Sequence, residues 1–228
     1  SYWSGLLPVS VEAVYMRIVY RPRDNARMDT IPDHVYVTGT DTGIGKTHAS
    51  VWLLRDLAAD GRRAGGMKPV ASGCVSSLEG WRSEDAQALI AASTVKAAYD
   101  DVNPYALPLP VAPEIAAREA GVHIGLDRIV AAHAALRRQA DTVVVEGVGG
   151  WLVPLAPGLF AADIAKQWRL PVILVVGLRL GCLNHALLSA RAIAADGCHL
   201  LGWIGNRVDP AMDAPEGNLA TLRELLPA

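Results

Sequence analysis

The sequence predicts an α/β fold in which a parallel β-sheet carries helices on both faces, a three-layer sandwich. Three observations carry that expectation. Strand-like and helix-like runs alternate along the chain, as crossover connections require. Two strand runs, DTVVVEG at 141–147 and PVILVVG at 171–177, are continuously apolar, the pattern of strands buried on both faces. The 228 residues are 51% apolar and show no internal repeat or linker, which suits one large core.

Taken in order, HVYVTG at 34–39 is a β-branched run that ends in glycine. Residues 46–60 read as a helix with Val51, Leu54, Leu57 and Ala58 on one face, stopped by Gly61. AGGMKPVASG at 64–73 reads as a short strand running into a loop, and a helix is expected from about Glu84. NPYALPLPVAP at 103–113 is proline-rich and is expected to be an irregular surface loop. Helices are expected at 113–120, 125–139, 183–195 and 216–225, with a further strand at 200–208.

Charge and composition exclude several classes. A net charge of −2 offers no broad basic face for nucleic acid or anionic membrane. No apolar run reaches membrane-spanning length. Three distant cysteines, Cys74, Cys182 and Cys198, do not make a disulfide framework and fit a reducing cytoplasm. Neither a C-x-x-C pair nor H-E-x-x-H is present, so a zinc site is not expected. Residues 1–30 read as an N-terminal extension, with Met28 a candidate natural start; a genuine N-terminal strand or helix is the alternative. Residues 31–228 read as a single domain.

The chemistry lies in VTGTDTGIGKTHAS at 37–50. A strand, a glycine-rich loop and a helix in succession aim backbone N–H groups and the positive end of a helix dipole at one point. Lys46 adds a cation, and the Thr47 hydroxyl can ligate Mg²⁺. Five residues separate Gly39 from Gly45, one more than the common phosphate loop allows, yet the working end from Gly43 to Thr47 is intact. A plain glycine turn with an incidental lysine is the alternative. In an open parallel sheet, ligands gather at the carboxyl ends of the strands. Lys68 and Glu146 both stand at such ends. Asp85, at a helix start, can supply a second oxygen to Mg²⁺, or can simply be a helix-start acid beside Ser83; Lys68 can equally be a solvated loop cation. Glu146 closes an all-apolar strand, where a carboxylate without a partner is costly.

Seven segments, VTGTDTGIGKT, GMKPVASG, SEDAQAL, NPYALPLPVAPEIAA, VVVEGVGGWLVPL, GLRLGCLNHALL and GWIGNRVDP, occur in the order found in the dethiobiotin synthetases. The sequence resembles that family from about residue 35 to 210, and the long loop spacer is itself a habit of the family. The resemblance implies a P-loop NTPase-like fold and an ATP- and Mg²⁺-dependent cyclo-ligase. It would carboxylate 7,8-diaminononanoate with CO₂, phosphorylate the carbamate and close a ureido ring. By the same resemblance, Gly43, Ile44, Gly45, Lys46, Thr47 and His48 hold the triphosphate, and Thr47, Asp85 and Glu146 serve the metal. Lys68 is implied as the active-site lysine beside Lys46. Thr42 and Ser72 meet the diamine or carbamate. Gly147, Val148 and Gly149 border the nucleotide, and Asn206, with Arg207 beside it, meets adenine. The family's site lies at a homodimer interface, where the amides of Gly181, Cys182, Leu183 and Asn184 hold the carboxylate of substrate bound to the other subunit. Asn184 as a simple helix cap is the local alternative, and Cys182 and His185 are expected to pack or cap rather than ligate metal.

Two departures stand out. The family pattern continues past Ala228 with a last strand and a loop over adenine; a domain truncated here would expose a sheet edge and open the base pocket. Glu114 stands where many members carry histidine. The rival functions are a related P-loop amide ligase, which normally carries a glutaminase domain, and a positioning ATPase, which carries an extra loop lysine where this chain has Thr40 and Asp41. A nucleotide-binding dimer without turnover is the non-enzyme alternative.

Overall fold

In the computed structural model, residues 32–226 are described. The expected extension at 1–30, Met28 included, lies outside the described residues. Five strands form one sheet: β1 (His34–Gly39), β2 (Ala64–Met67), β3 (Thr142–Glu146), β4 (Val172–Leu178) and β5 (Leu200–Arg207). Their order is β5-β4-β1-β3-β2 and every pairing is parallel. The helices are α1 (Lys46–Ala59), α2 (Glu84–Ala92), α3 (Pro113–Glu119), α4 (Leu126–Arg137), α5 (Ala161–Trp168), α6 (Cys182–Ala195) and α7 (Pro215–Leu225), with a single further turn at Tyr99–Val102.

Two cores show why the strands read as continuous apolar runs. Val35, Val37, Val144, Ile173, Val175 and Ile204 face one side, against Ala49, Leu53, Leu54 and Leu57 of α1. The alternate residues Tyr36, Val143, Val145, Val172, Leu174, Val176 and Trp203 face the other, against α4, α5 and α6. Strand side chains alternate at period two, so both sets must be apolar when both faces are covered. The α1 face differs slightly from the expected one: Leu53 and Ala49 are buried, while Val51 and Ala58 are only half-buried. Gly61 ends α1 as predicted. It takes a positive φ of 75°, and the bonds Gly61 N–H to Ala58 O and Arg62 N–H to Leu57 O close the two rings of a Schellman turn.

The 103–113 stretch is not wholly an irregular surface loop. Asn103, Tyr105 and Leu107 are buried, and Tyr105–Ala106 pairs in parallel with Val70–Ala71. Prolines at 104 and 108 leave the alternate amides of Tyr105 and Leu107 free to donate to Pro69 and Ala71 carbonyls. Only the stretch beyond, with Leu109 and Val111 exposed, behaves as predicted. Helix α5, eight residues long, and the hairpins at 75–82 and 154–160 are too short to be read from sequence. Glu114, the departure in α3, makes an i,i+4 ion pair with Arg118 at 3.0 Å. All three cysteines are free. No helix among the described residues is long and apolar enough to cross a membrane.

Beneath the sheet, His133 of α4 stacks on Trp168 at 4.1 Å and meets His34 edge-on at 5.4 Å. Its Nε2 is buried without a hydrogen-bond partner. Burial, helped by the charges of His34 and Arg137, pushes its pKa down to about 4. The unfolded chain therefore binds this proton more readily, and stability present above pH about 6.5 is lost as pH falls towards 4, by on the order of 3 kcal/mol. The variant His133→Phe keeps the stack and removes the proton. Its denaturant-derived stability is expected to fall less than the wild type's between pH 6.5 and 4; equal acid losses would contradict the assignment.

Candidate active site

The loop after β1 is held from three sides. Ile44 is buried, its side chain keyed into a slot that exists because Gly39 and Gly177 have no Cβ; Cβ atoms there would stand 2.7 and 2.6 Å from it. The Ile44 carbonyl accepts a 2.8 Å bond from Asn206 Nδ2. Gly45 caps α1 with a φ of 92°, and its missing Cβ leaves room for the Asn206 amide. Asp41, one of the residues in the lengthened entry, accepts from the Thr42 N–H at 2.7 Å and pairs with Arg179 at the end of β4. The Thr42 N–H first, then Arg179, holds its carboxyl below the usual carboxylate range.

Register brings the charged groups together. Met67 pairs with Val145 and Val37 with Glu146, so Lys68 leaves β2 level with the carboxylate that ends β3. Lys68 Nζ lies 2.6 Å from Glu146 Oε1 and 2.7 Å from Asp85 Oδ2, and donates to Gly147 O at 3.2 Å. Glu146 is fully buried and Lys68 is 3% exposed. Burial pulls the Lys68 pKa down, but the charges of Glu146 and Asp85 outweigh it and the net shift is upward. Asp85 is lowered, Lys68 overcoming the cost of burial.

Thr47 Oγ1 stands 2.8 Å from both Asp85 Oδ1 and Glu146 Oε1. A hydroxyl has one proton and can donate only one of these bonds. Glu146 Oε2 is buried with no partner. Three oxygens sharing too few protons, with an orphaned carboxylate oxygen beside them, fit a hard cation. No group of three or more His, Cys, Asp or Glu side chains that can hold a metal occurs among the described residues, so two carboxylates and a hydroxyl would need oxygens from a ligand to complete the shell. Lys46 Nζ donates to Asp41 O at 2.8 Å. Burial first, then the charge of Lys68, pushes its pKa down to about 8.

A cavity of about 500 Å³ collects most of the predicted residues: Thr42, Gly43, Gly45, Lys46, Thr47, His48, Lys68, Ser72, Asp85, Glu146, Val148, Gly149 and Asn206 all line it. Others lie elsewhere. The Ile44 side chain sits beneath the loop, so only its main chain can serve a ligand. Gly147 contributes its carbonyl to Lys68 rather than a wall. Arg207 is exposed, and its Nη2 donates to Pro210 O at 3.0 Å. Gly181, Cys182, Leu183 and Asn184 begin α6 outside this cavity. Gly181, with φ 95°, is the N-cap, so Asn184 is not a cap but lies in the first turn. Sequence reasoning missed Asp41 and Arg179, whose pairing spans 138 residues and leaves no local signal. Ala71, Glu84 and Ala88 also line the cavity unpredicted.

Comparisons with known proteins agree on the scaffold and sharpen it. A family model described as an AAA domain matches residues 33–227. A protein of Xanthomonas oryzae pv. oryzae, strain PXO99A, named ATP-dependent dethiobiotin synthetase BioD, is 58% identical over 195 residues, covering 86% of this chain and 87% of its own. A protein of the same name from Xylella fastidiosa, strain 9a5c, is 61% identical over 192 residues, covering 84% and 85%. Among solved structures, the kinase domain of the Escherichia coli tyrosine kinase ETK matches with a TM-score of 0.50 at 16% identity, over 82% of this chain and 72% of that one. At that identity the likeness concerns the fold alone.

The depressed Lys46 pKa has a consequence for binding. A protonated lysine attracts a polyphosphate and a neutral one does not, and phosphate groups are already fully ionised well above neutrality. Metal-free ADP affinity, measured by calorimetry, is expected to fall as pH rises past about 8. Lys46→Arg, which stays charged, should flatten that dependence; a flat wild-type profile would refute the shift.

Proposed function

The chain belongs to the dethiobiotin synthetase family, and from that premise we propose that its cavity converts 7,8-diaminononanoate, CO₂ and ATP into dethiobiotin, ADP and phosphate. The single observation that carries the reading is the convergence of Lys46, Thr47, Lys68, Asp85 and Glu146 around one cavity at the ends of β1, β2 and β3.

One amine of the substrate adds to CO₂ and forms a carbamate. A carbamate oxygen attacks the terminal phosphorus of ATP, and the bond to the bridging oxygen breaks to release ADP. The second amine attacks the carbonyl carbon of the resulting mixed anhydride, phosphate leaves, and the ureido ring is closed. Each stage gathers negative charge on oxygens, which is where fixed cations contribute most. Lys68, held charged by two carboxylates, stabilises carbamate and phosphoryl oxygens and is not suited to removing protons. Lys46 and the first-turn amides of α1 hold the polyphosphate. Thr42 and Ser72, on the cavity wall, face the diamine and its carbamate. Asn206, bonded to the loop through Nδ2, keeps Oδ1 for the adenine amino group. Thr47, Asp85 and Glu146 hold Mg²⁺, a fit supported by the orphaned Glu146 Oε2. When bound, that ion supplies Lewis-acid neutralisation of the phosphate oxygens.

The protein acts as a homodimer in this reading. Leu180, just before α6, is 95% exposed, and Leu188 on that helix is more than half exposed. The Cys182 N–H already donates to Arg179 O at 3.0 Å, which leaves the Leu183 and Asn184 N–H groups, without intrahelical acceptors, for the carboxylate of substrate bound at the partner's site.

Labelled bicarbonate, diaminononanoate and ATP should give acid-stable label with the wild-type chain. ATP hydrolysis without such label would favour an amide ligase or another ATPase instead. With Lys46→Ala, label formation is expected to drop about 100- to 1,000-fold while circular dichroism stays unchanged. Retained activity in that variant would remove the loop from the mechanism.

A further inference from the structure

We infer that Tyr99 and Asn103 are positioning residues that fix Lys68 and Asp85 relative to one another from behind the site. This rests on the phosphoryl-transfer reading above. Lys68 and Asp85 come from different segments, the end of β2 and the start of α2, and meet at 2.7 Å. Nothing local in either segment sets that distance. The helical turn at Tyr99–Val102 grips both.

Lys68 is held through its main chain on two sides. Its N–H donates to Val102 O at 2.8 Å, and its carbonyl accepts from Asn103 Nδ2 at 2.7 Å. The second Asn103 Nδ2 proton goes to Tyr105 O at 3.2 Å, and Oδ1 accepts from the Tyr99 hydroxyl at 2.9 Å. That hydroxyl in turn accepts from the Ser83 N–H at 2.7 Å. Ser83 is the N-cap of α2, its Oγ accepting from the Ala86 N–H at 3.3 Å, and Asp85 is two residues further on. An unbroken chain of bonds therefore runs from Ser83 through Tyr99 and Asn103 to the Lys68 carbonyl. Each Asn103 side-chain group has a partner, and the residue is 2% exposed. Bonds in such a chain polarise one another, so one orientation of the amide and hydroxyl is selected. Arg82 lies over the Tyr99 ring at 4.1 Å without joining the chain.

The function of this arrangement is to hold a cation and a carboxylate at fixed separation before substrate arrives. A buried lysine between two carboxylates could otherwise settle on Glu146 alone and leave Asp85 to swing out, since the Asp85 side chain is 43% exposed. Fixing the start of α2 to the Lys68 peptide removes that freedom. The residues touch no reacting atom in this account, and their effect passes through Lys68 and Asp85.

The test uses the full chain. Tyr99→Phe keeps the ring under Arg82 and deletes both hydroxyl bonds; Asn103→Ser breaks the chain at its other end; Arg82→Gln removes the ring contact, with the exposed Arg82 bonds to Glu79 and Trp81 O, and leaves the chain itself intact. In Tyr99→Phe, kcat is expected to fall about tenfold with KM for ATP within about twofold of wild type. The increase in ADP affinity that Mg²⁺ confers, read by calorimetry without turnover, should shrink about threefold, as Asp85 loses its place. Asn103→Ser should follow the same pattern, and Arg82→Gln should match wild type in both readouts. Wild-type kcat and wild-type Mg²⁺ enhancement in Tyr99→Phe would overturn the inference, whatever its melting temperature. Loss of folded protein in both chain-breaking variants would assign the bonds to folding and overturn it too. A wild-type chain that forms no acid-stable label, by contrast, would sink the underlying reaction.

Discussion

A carboxylate with no exposed surface is costly unless a partner meets it, and Glu146 is such a group at the end of the central sheet. Lys68 meets that need, and the sheet order makes the meeting unavoidable. Strand β3 lies between β1 and β2, so whatever ends β3 is flanked by the phosphate loop on one side and by Lys68 on the other. Thr47 reaches the same carboxylate from α1, and Asp85 closes the group from α2. Four elements far apart in sequence thus meet around Glu146 Oε1, Asp85 through its bonds to Lys68 and Thr47. The two lysines and two carboxylates cancel formally. In the proposed reaction an incoming polyphosphate is balanced by helix N-terminal amides and a divalent cation, so that reading needs no basic patch on a near-neutral chain.

The lengthened loop obeys the same economy of contacts. An extra residue between Gly39 and Gly45 would slacken an ordinary phosphate loop. Here the surplus is taken up by Asp41, which is pinned sideways to Arg179 and to its own neighbour's N–H. Ile44 fills the slot between two glycines, and its carbonyl is fastened by Asn206. The working end from Gly43 to Thr47 therefore keeps its shape while the entry bows outward. Any Cβ at Gly177 would push Ile44 out of its slot and release the loop, although Gly177 belongs to β4 and touches no ligand in this account.

Much of this was legible because it depends on local pattern. HVYVTG gave β1 with its observed bounds, and the all-apolar runs gave β3 and β4 to within a residue. Glu146 could be singled out because a charge closing such a run demands a partner. Thr47 followed from the loop motif, Lys68 from its place at a strand end and Asp85 from its place at a helix start. What escaped notice depends on distance. The Asp41–Arg179 pair and the Ser83–Tyr99–Asn103–Lys68 chain join residues whose neighbours carry no sign of the partnership. Helix α5 is only eight residues long, so its apolar stripe of Ala161, Ala162, Ile164 and Ala165 has too few turns to stand out in the sequence. The buried part of 103–113 was misread because prolines usually break regular structure; at 104 and 108 they fall on positions whose amides are not needed.

The energetics indicate that the central cluster is kept for chemistry rather than for stability. A buried ion pair gains little over well-packed apolar side chains, because desolvation consumes most of the attraction. Removing one partner, however, costs about 3–5 kcal/mol by stranding the other charge. A sheet of this kind could be closed by a valine at 146 and a methionine at 68 with no loss of fold. The charged pair, the orphaned Oε2 and a threonine hydroxyl with two acceptors all sit at the one point of the sheet where the phosphate loop opens. Among the described residues, other buried orphaned atoms, on His34, His133 and Thr142, lie away from the loop; only at Glu146 does one stand beside a charged pair and a shared hydroxyl, the form expected of a site that a ligand completes.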